Sequence, residues 1–68
     1  MRAIKIITQC EKVQNDIYPW TKAMNNIMRL LSEESDDNQL NIEINKVLAE
    51  HNIAPLIEKI RAIAKKHI

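Results

Sequence analysis

The sequence predicts an all-α protein, a small antiparallel bundle of three or four short helices in a single domain over residues 1–68. Apolar residues recur three or four positions apart along most of the chain, and this spacing gathers them on one face of an α-helix. The 68-residue chain has no glycine, which disfavours the tight hairpins of β-sheet proteins. Hydrophobic residues make up 46% of it, more than a disordered chain contains.

The first half of the chain carries an unbroken heptad pattern with a proline inside it. The apolar positions of this pattern are Ala3, Ile6, Cys10, Val13, Ile17, Trp20, Met24, Ile27 and Leu31. A proline within a helix removes a backbone N–H and clashes with the carbonyl four residues earlier, at a cost of about 3 kcal/mol. Residues 3–31 therefore form either one helix kinked at Pro19 or two helices, over about 2–15 and 17–32.

Two helices are the preferred alternative. Residues 16–19 and 52–55 share one order: a capping residue, an isoleucine, a variable residue and a proline. Asp16 is then expected to be the N-cap of the second helix. Pro19 would lie in its first turn, where a missing N–H costs nothing.

The second half predicts helices over about 37–50 and 53–67. An acidic segment, residues 33–37, precedes them, and Asp36 with Gln39 fits a capping box. We interpret the segment as a solvated cap, with an acidic binding surface as the alternative. Pro55 demands a turn at 51–54, with Asn52 as cap, because the apolar faces on its two sides differ by about 170°.

Leu40, Ile42 and Ile44 alternate with polar residues, as they would in a β-strand. Helical spacing nevertheless continues to Val47 and Leu48, and no second strand is available to pair with this one. A helix is therefore predicted.

The sequence contains no residue pattern typical of a catalytic or cofactor-binding site. Cys10, His51 and His67 are far apart, and both serines lie at the acidic segment, so no nucleophile–base pair can be named. Without glycine there is no phosphate-binding loop or dinucleotide fingerprint, and neither calcium-loop nor zinc spacing occurs. We expect no enzyme, no catalytic residue, no cofactor, no metal and no small-molecule substrate.

The lone Cys10 lies on the apolar face and has no second cysteine to pair with, so a buried thiol is expected. The N-terminal apolar run is short and contains Lys5, which argues against a signal peptide or a membrane span. A cytoplasmic, reducing location is the expectation.

Protein binding is the predicted function, because apolar residues outside the heptad pattern exceed what so small a monomer can cover. A regulator, an inhibitor, an immunity-type protein or a secretion-chaperone-type protein would occlude a partner through an apolar helix face. Self-association as a homodimer is a linked hypothesis. The surplus apolar residues are Ile4, Met28, Leu30, Ile57 and Ile68.

The predicted contact residues for a protein partner are Tyr18, Trp20, Met24 and Met28, since aromatic and methionine side chains are enriched in interfaces. Trp20 and Met24 also belong to the heptad pattern, and for Trp20 a core position is expected ahead of a binding role. A DNA-binding regulator is the second hypothesis, although the acidic segment would repel DNA. Its expected phosphate contacts are Lys59, Arg61, Lys65 and Lys66.

Overall fold

A computed structural model describes residues 2–33, 38–50 and 55–68, and these residues form four α-helices. They are α1 (Arg2–Gln14), α2 (Trp20–Ser32), α3 (Asn38–Ala49) and α4 (Leu56–Lys66). The predicted all-α class is confirmed, and Pro19 separates two helices rather than kinking one. The Cα radius of gyration is 10.8 Å, close to the value of about 11 Å expected of a compact chain of this length.

The turn between α1 and α2 is a Schellman motif with an aspartate at its left-handed position. Asp16 has φ 58°; its N–H donates to the carbonyl of Val13 (3.1 Å), and the N–H of Ile17 donates to that of Lys12 (2.8 Å). These two bonds define the motif. The prediction that Asp16 caps the second helix is therefore wrong, because Asp16 terminates α1 and Pro19 is the N-cap of α2.

The turn also changes the surroundings of two heptad positions. Ile17 is exposed and the side chain of Trp20 is 39% exposed, so the expected core role of Trp20 is wrong. The heptad pattern keeps its phase in sequence, but the chain reverses between Gln14 and Trp20. Both side chains consequently lie at the end of the helical hairpin and not between its helices.

Contacts between side chains fix the directions of the helices. The Arg2 guanidinium donates to the carbonyl of Leu30 (3.1 Å) and Asn26 donates to Gln9 (3.0 Å), so α1 and α2 are antiparallel. In the same way, Glu50 pairs with Lys59 and Glu43 with His67, both at 3.1 Å, so α3 and α4 are antiparallel. The main helix contacts are α1 with α4, α1 with α2, and α3 with α4.

The core consists of aliphatic side chains and one thiol. No polar side chain is buried among the described residues, so packing and the hydrophobic effect hold the helices together; each large side chain contributes about 1.5–3 kcal/mol. The buried residues are Ala3, Ile6, Cys10, Ala23, Met24, Ile27, Leu40, Ile44, Leu56, Ile57, Ile60 and Ala64.

Helix α4 begins at Leu56, directly after Pro55, whose missing N–H would have had no helical partner at that position. The last helix therefore begins later than the predicted residue 53, since Pro55 is its N-cap. The predicted capping box of Asp36 with Gln39 and the predicted cap Asn52 lie outside the described residues. The same holds for most of the acidic segment 33–37.

Candidate protein-binding surface

The structure separates the predicted partner-binding residues. Met24 is buried in the core, so it offers no surface to a partner. Met28 is 56% exposed and points toward α3, where it lines a groove with Leu48. Tyr18 is half-buried and lies in the turn between α1 and α2. The predicted residues therefore form no single patch.

Of the surplus apolar residues outside the heptad pattern, Ile4, Met28 and Ile68 are exposed. Ile57 is buried, and Leu30 is half-buried against the core. The predicted excess of apolar surface therefore exists, but on a different set of residues, which also includes Ile17, Trp20 and Ile42.

An uncharged face covers the outer sides of α2 and α3. On α2 it consists of a row spaced i, i+4, i+7 and i+11, and α3 carries a row with the same spacing; all eight side chains are exposed. Residues at this spacing share one side of a helix. We call these two rows the uncharged face: Thr21, Asn25, Met28 and Ser32 on α2, and Asn38, Ile42, Asn45 and Ala49 on α3.

A groove of about 250 Å³ runs between the two rows. It is lined by Met28, Leu31, Ser32, Asn45 and Leu48. Across it, the side-chain amide of Asn41 donates to the carbonyl of Leu31 at 3.2 Å. Since α2 and α3 are not among the closely packed helix pairs, the groove leaves apolar side chains open to solvent.

The composition of this face differs from that of the rest of the protein. Charged residues make up 28% of the sequence, yet neither row contains one. Arg29 borders the face on α2 and Lys46 borders it on α3. Depletion of charge with exposed methionine and aliphatic side chains is the composition of protein-interface centres. The sequence indicated Met28 as a contact residue but not Ile42, for which the i, i+4, i+7 and i+11 spacing in α3 indicates only an uncharged row.

A basic face lies on the other side of α2, where it packs against α1. Lys12 and Lys22 place their ammonium groups 4.6 and 4.2 Å from the centroid of the Tyr18 ring. Further along the same pair of helices, Lys5, Arg29 and Glu33 line a groove of about 360 Å³. No carboxylate within the described ranges forms an ion pair with any of these four cations, which together we call the basic face.

Tyr18 is the aromatic centre of the basic face. The ammonium of Lys12 donates to its hydroxyl at 3.3 Å. This hydrogen bond, together with the positive charges of Lys12 and Lys22, lowers the pKa of the Tyr18 phenol below its usual value of 10.0. The two lysines therefore already occupy both the ring and the hydroxyl, and Tyr18 presents a cationic environment to any partner.

The four basic residues predicted to contact DNA all lie on α4, and two of them are ion-paired while two are exposed. Arg61 pairs with Glu11 of α1 at 3.3 Å and Lys59 pairs with Glu50 at 3.1 Å, so each is held by a carboxylate at an edge of the helix. Lys65 and Lys66 are exposed in the last turn. The four bases do not form one open cationic surface.

The nucleophilic and metal-binding candidates form no cluster in the described part of the chain. Burial raises the pKa of the Cys10 thiol to about 12, which suppresses the reactive thiolate. His67 hydrogen-bonds Glu43, and this bond lowers the pKa of the carboxyl group. No group of three or more His, Cys, Asp or Glu side chains within the described ranges is placed to hold a metal ion.

Comparisons with protein-family models, with curated proteins and with solved structures find no match to this chain. In the part of the chain that the structure describes, no helix is both long enough and apolar enough to cross a bilayer.

Proposed function

We propose that this protein is a non-enzymatic interaction protein that binds a protein partner through the uncharged face of α2 and α3. The observation that carries the proposal is the pair of aliphatic side chains at the centre of that face. Met28 is 56% exposed and Ile42 is 59% exposed, and neither row of the face contains a charged residue. A partner covering them would remove apolar area from water at about 25 cal/mol per Å².

The mechanism is occlusion by a rigid surface. Both rows of the face lie on helices, so their side chains are already placed before the partner arrives, and little conformational entropy is lost on binding. A regulator, inhibitor, immunity-type protein or secretion-chaperone-type protein would act in this way. The cytoplasm is the proposed location, because the lone Cys10 is buried and has no disulfide partner.

Capture experiments with matched variants test the proposal. Immobilised protein is incubated with extract of its source cells, and the retained proteins are compared between wild type, Met28→Asp, Ile42→Asp and Ile4→Asp. Ile4 is the control because it is 50% exposed but lies on α1, outside the uncharged face. The expected result is a partner that both variants of the face lose and the control retains.

Far-UV circular dichroism must show the same helical content for all variants. Equal retention of partners by Met28→Asp, Ile42→Asp and wild type would contradict the proposal. Loss on Tyr18→Ala but not on Met28→Asp would instead assign the partner to the basic face.

Binding of a polyanion is the second candidate, and the basic face favours it over the last helix. Four cations without carboxylate partners within the described residues surround Tyr18 and the neighbouring groove, whereas two of the four bases on α4 are ion-paired. Fluorescence anisotropy with labelled duplex DNA should then show affinity that falls steeply with salt. Lys5→Ala combined with Lys22→Ala should weaken binding, while Lys65→Ala with Lys66→Ala should not.

A further inference from the structure

We propose that the uncharged face binds a second copy of this chain, forming a symmetric dimer in which α2 of each copy packs against α3 of the other. This inference rests on the proposed function, since it names the partner of the same surface. It is carried by the order of residues in the two rows, and the charges around them permit it.

The two rows match each other when they are aligned in opposite directions. Asn25 of α2 then corresponds to Asn45 of α3, and Met28 corresponds to Ile42. Asn41, near the start of α3, bonds to Leu31, near the end of α2, so the two helices run in opposite directions. This contact places Met28 and Ile42 within one helical turn, about 5.4 Å, along the bundle. An amide and an aliphatic side chain therefore recur at similar heights on both helices.

A two-fold axis parallel to the helices brings the matching residues of the two copies into contact. Rotation about such an axis in the plane of the face places α2 of one copy over α3 of the other without changing the height of any residue. Met28 then meets Ile42 of the second copy, and Asn25 meets Asn45 of the second copy, each twice in the dimer. Asparagine amides both donate and accept hydrogen bonds, so they can pair with one another.

The charge distribution permits a second copy as the occupant. In an isologous dimer the same surface of both copies is in contact, so charged residues at its centre would repel their own equivalents. Neither row of the uncharged face contains a charged residue, so this repulsion is absent at the centre. Electrostatic repulsion arises at the border of the face, where Arg29 lies beside Lys46 of the second copy. These side chains are long and exposed, so they can separate, and added salt screens them.

The size of the face predicts a weak dimer. Each row spans about 17 Å along its helix and two helices are about 20 Å wide, so the face covers roughly 340 Å². This area is less than half of the roughly 800 Å² per partner of a standard interface. Measurements must therefore extend to about 1 mM protein.

Sedimentation equilibrium between about 20 μM and 1 mM tests the dimer. Wild-type protein should shift from monomer to dimer mass as its concentration rises. Met28→Asp and Ile42→Asp should each raise the dissociation constant about tenfold or more, because they bury a charge against an aliphatic side chain. Ile4→Asp should leave it unchanged. Raising salt should strengthen the dimer, whereas it would weaken polyanion binding.

A charge-pair experiment tests the arrangement. In the proposed dimer, Met28→Lys combined with Ile42→Glu brings opposite charges together between copies, so this double variant should dimerise better than either single variant. Met28→Lys combined with Ile42→Lys should dimerise worse than both. Failure of the first combination to recover affinity would overturn the pairing of Met28 with Ile42.

The outcomes separate this inference from the proposed function. A wild-type protein that stays monomeric at the highest concentration overturns the dimer. The proposed function then stands if another protein is captured in a Met28-dependent and Ile4-independent manner. A dimer that Ile4→Asp dissociates and Met28→Asp preserves overturns the assignment of the face.

Discussion

Asp16 shows how a glycine-free chain makes a tight helix end. The left-handed conformation costs a residue with a Cβ roughly 1–2 kcal/mol, although aspartate tolerates it better than most. Here the Schellman bonds to Lys12 and Val13 compensate for that cost. The sequence offered Asp16 as a capping residue, but the choice between starting α2 and ending α1 depended on where the chain reverses, which is a property of the packed hairpin.

The effect of substituting Asp16 on the free energy of unfolding should depend on the backbone conformation that the new residue tolerates and not on its charge. Asp16→Gly should hold or raise the free energy of unfolding, because glycine adopts positive φ without strain. Asp16→Val should lower it by about 1–2 kcal/mol, or several degrees in Tm for a domain of this size. Thermal unfolding followed by circular dichroism measures both. Equal destabilisation by glycine and valine would contradict this account.

Tyr18 provides a direct probe of the basic face. Its phenol should titrate below 10.0 in the folded protein, because Lys12 and Lys22 stabilise the phenolate. Removing the positive charge in Lys22→Ala should move the pKa back toward that value. An absorbance titration at alkaline pH on the folded protein checks the direction, and Lys46→Ala, on the far side of the bundle, is the control that should leave it unchanged.

At the scale of the element, α3 shows what sequence periodicity resolves and what it leaves out. The alternation of Leu40, Ile42 and Ile44 was consistent with a strand, and the helical spacing that continues to Val47 decided for a helix. The structure buries Ile44 completely and leaves Ile42 59% exposed. The pattern identified Ile44 as a core residue, but it could not say that Ile42 would belong to a surface shared with α2.

Two isoleucines on α3 should therefore respond very differently to truncation. Ile44→Ala should lower the free energy of unfolding by about 2–5 kcal/mol, because it leaves a cavity in the core. Ile42→Ala should change monomer stability by less than about 0.5 kcal/mol. Urea unfolding at low protein concentration measures both values. A similar loss in the two variants would show that Ile42 is packed within the monomer.

At the scale of the whole molecule, the helix class, the number of helices to within one and most core positions were predictable, because they follow from apolar spacing and proline placement. The surfaces were not, since each combines side chains of two helices. Met28 and Ile42 share a face only after α2 and α3 are placed side by side. Similarly, Lys12 and Lys22 meet at Tyr18 only after the chain reverses at Asp16.

The proposed dimer has a consequence for global stability. If the second copy binds only the folded chain, mass action stabilises the fold as protein concentration rises. The Tm of wild-type protein should therefore increase between about 20 μM and 1 mM, while that of Met28→Asp should remain constant. Calorimetry at both concentrations checks this, and a concentration-independent wild-type Tm would argue against association of the folded state.

The packing of α1 against α4 also determines when the chain can fold during its synthesis. Ile6 and Cys10 are fully buried in a core that includes Ile60 and Ala64, so the ribosome must produce α4 before that core can close. Until then the nascent protein can form only its first helical hairpin, with Ile6 incompletely covered. We expect the nascent chain to depend on rapid synthesis of α4, because exposed apolar surface invites aggregation.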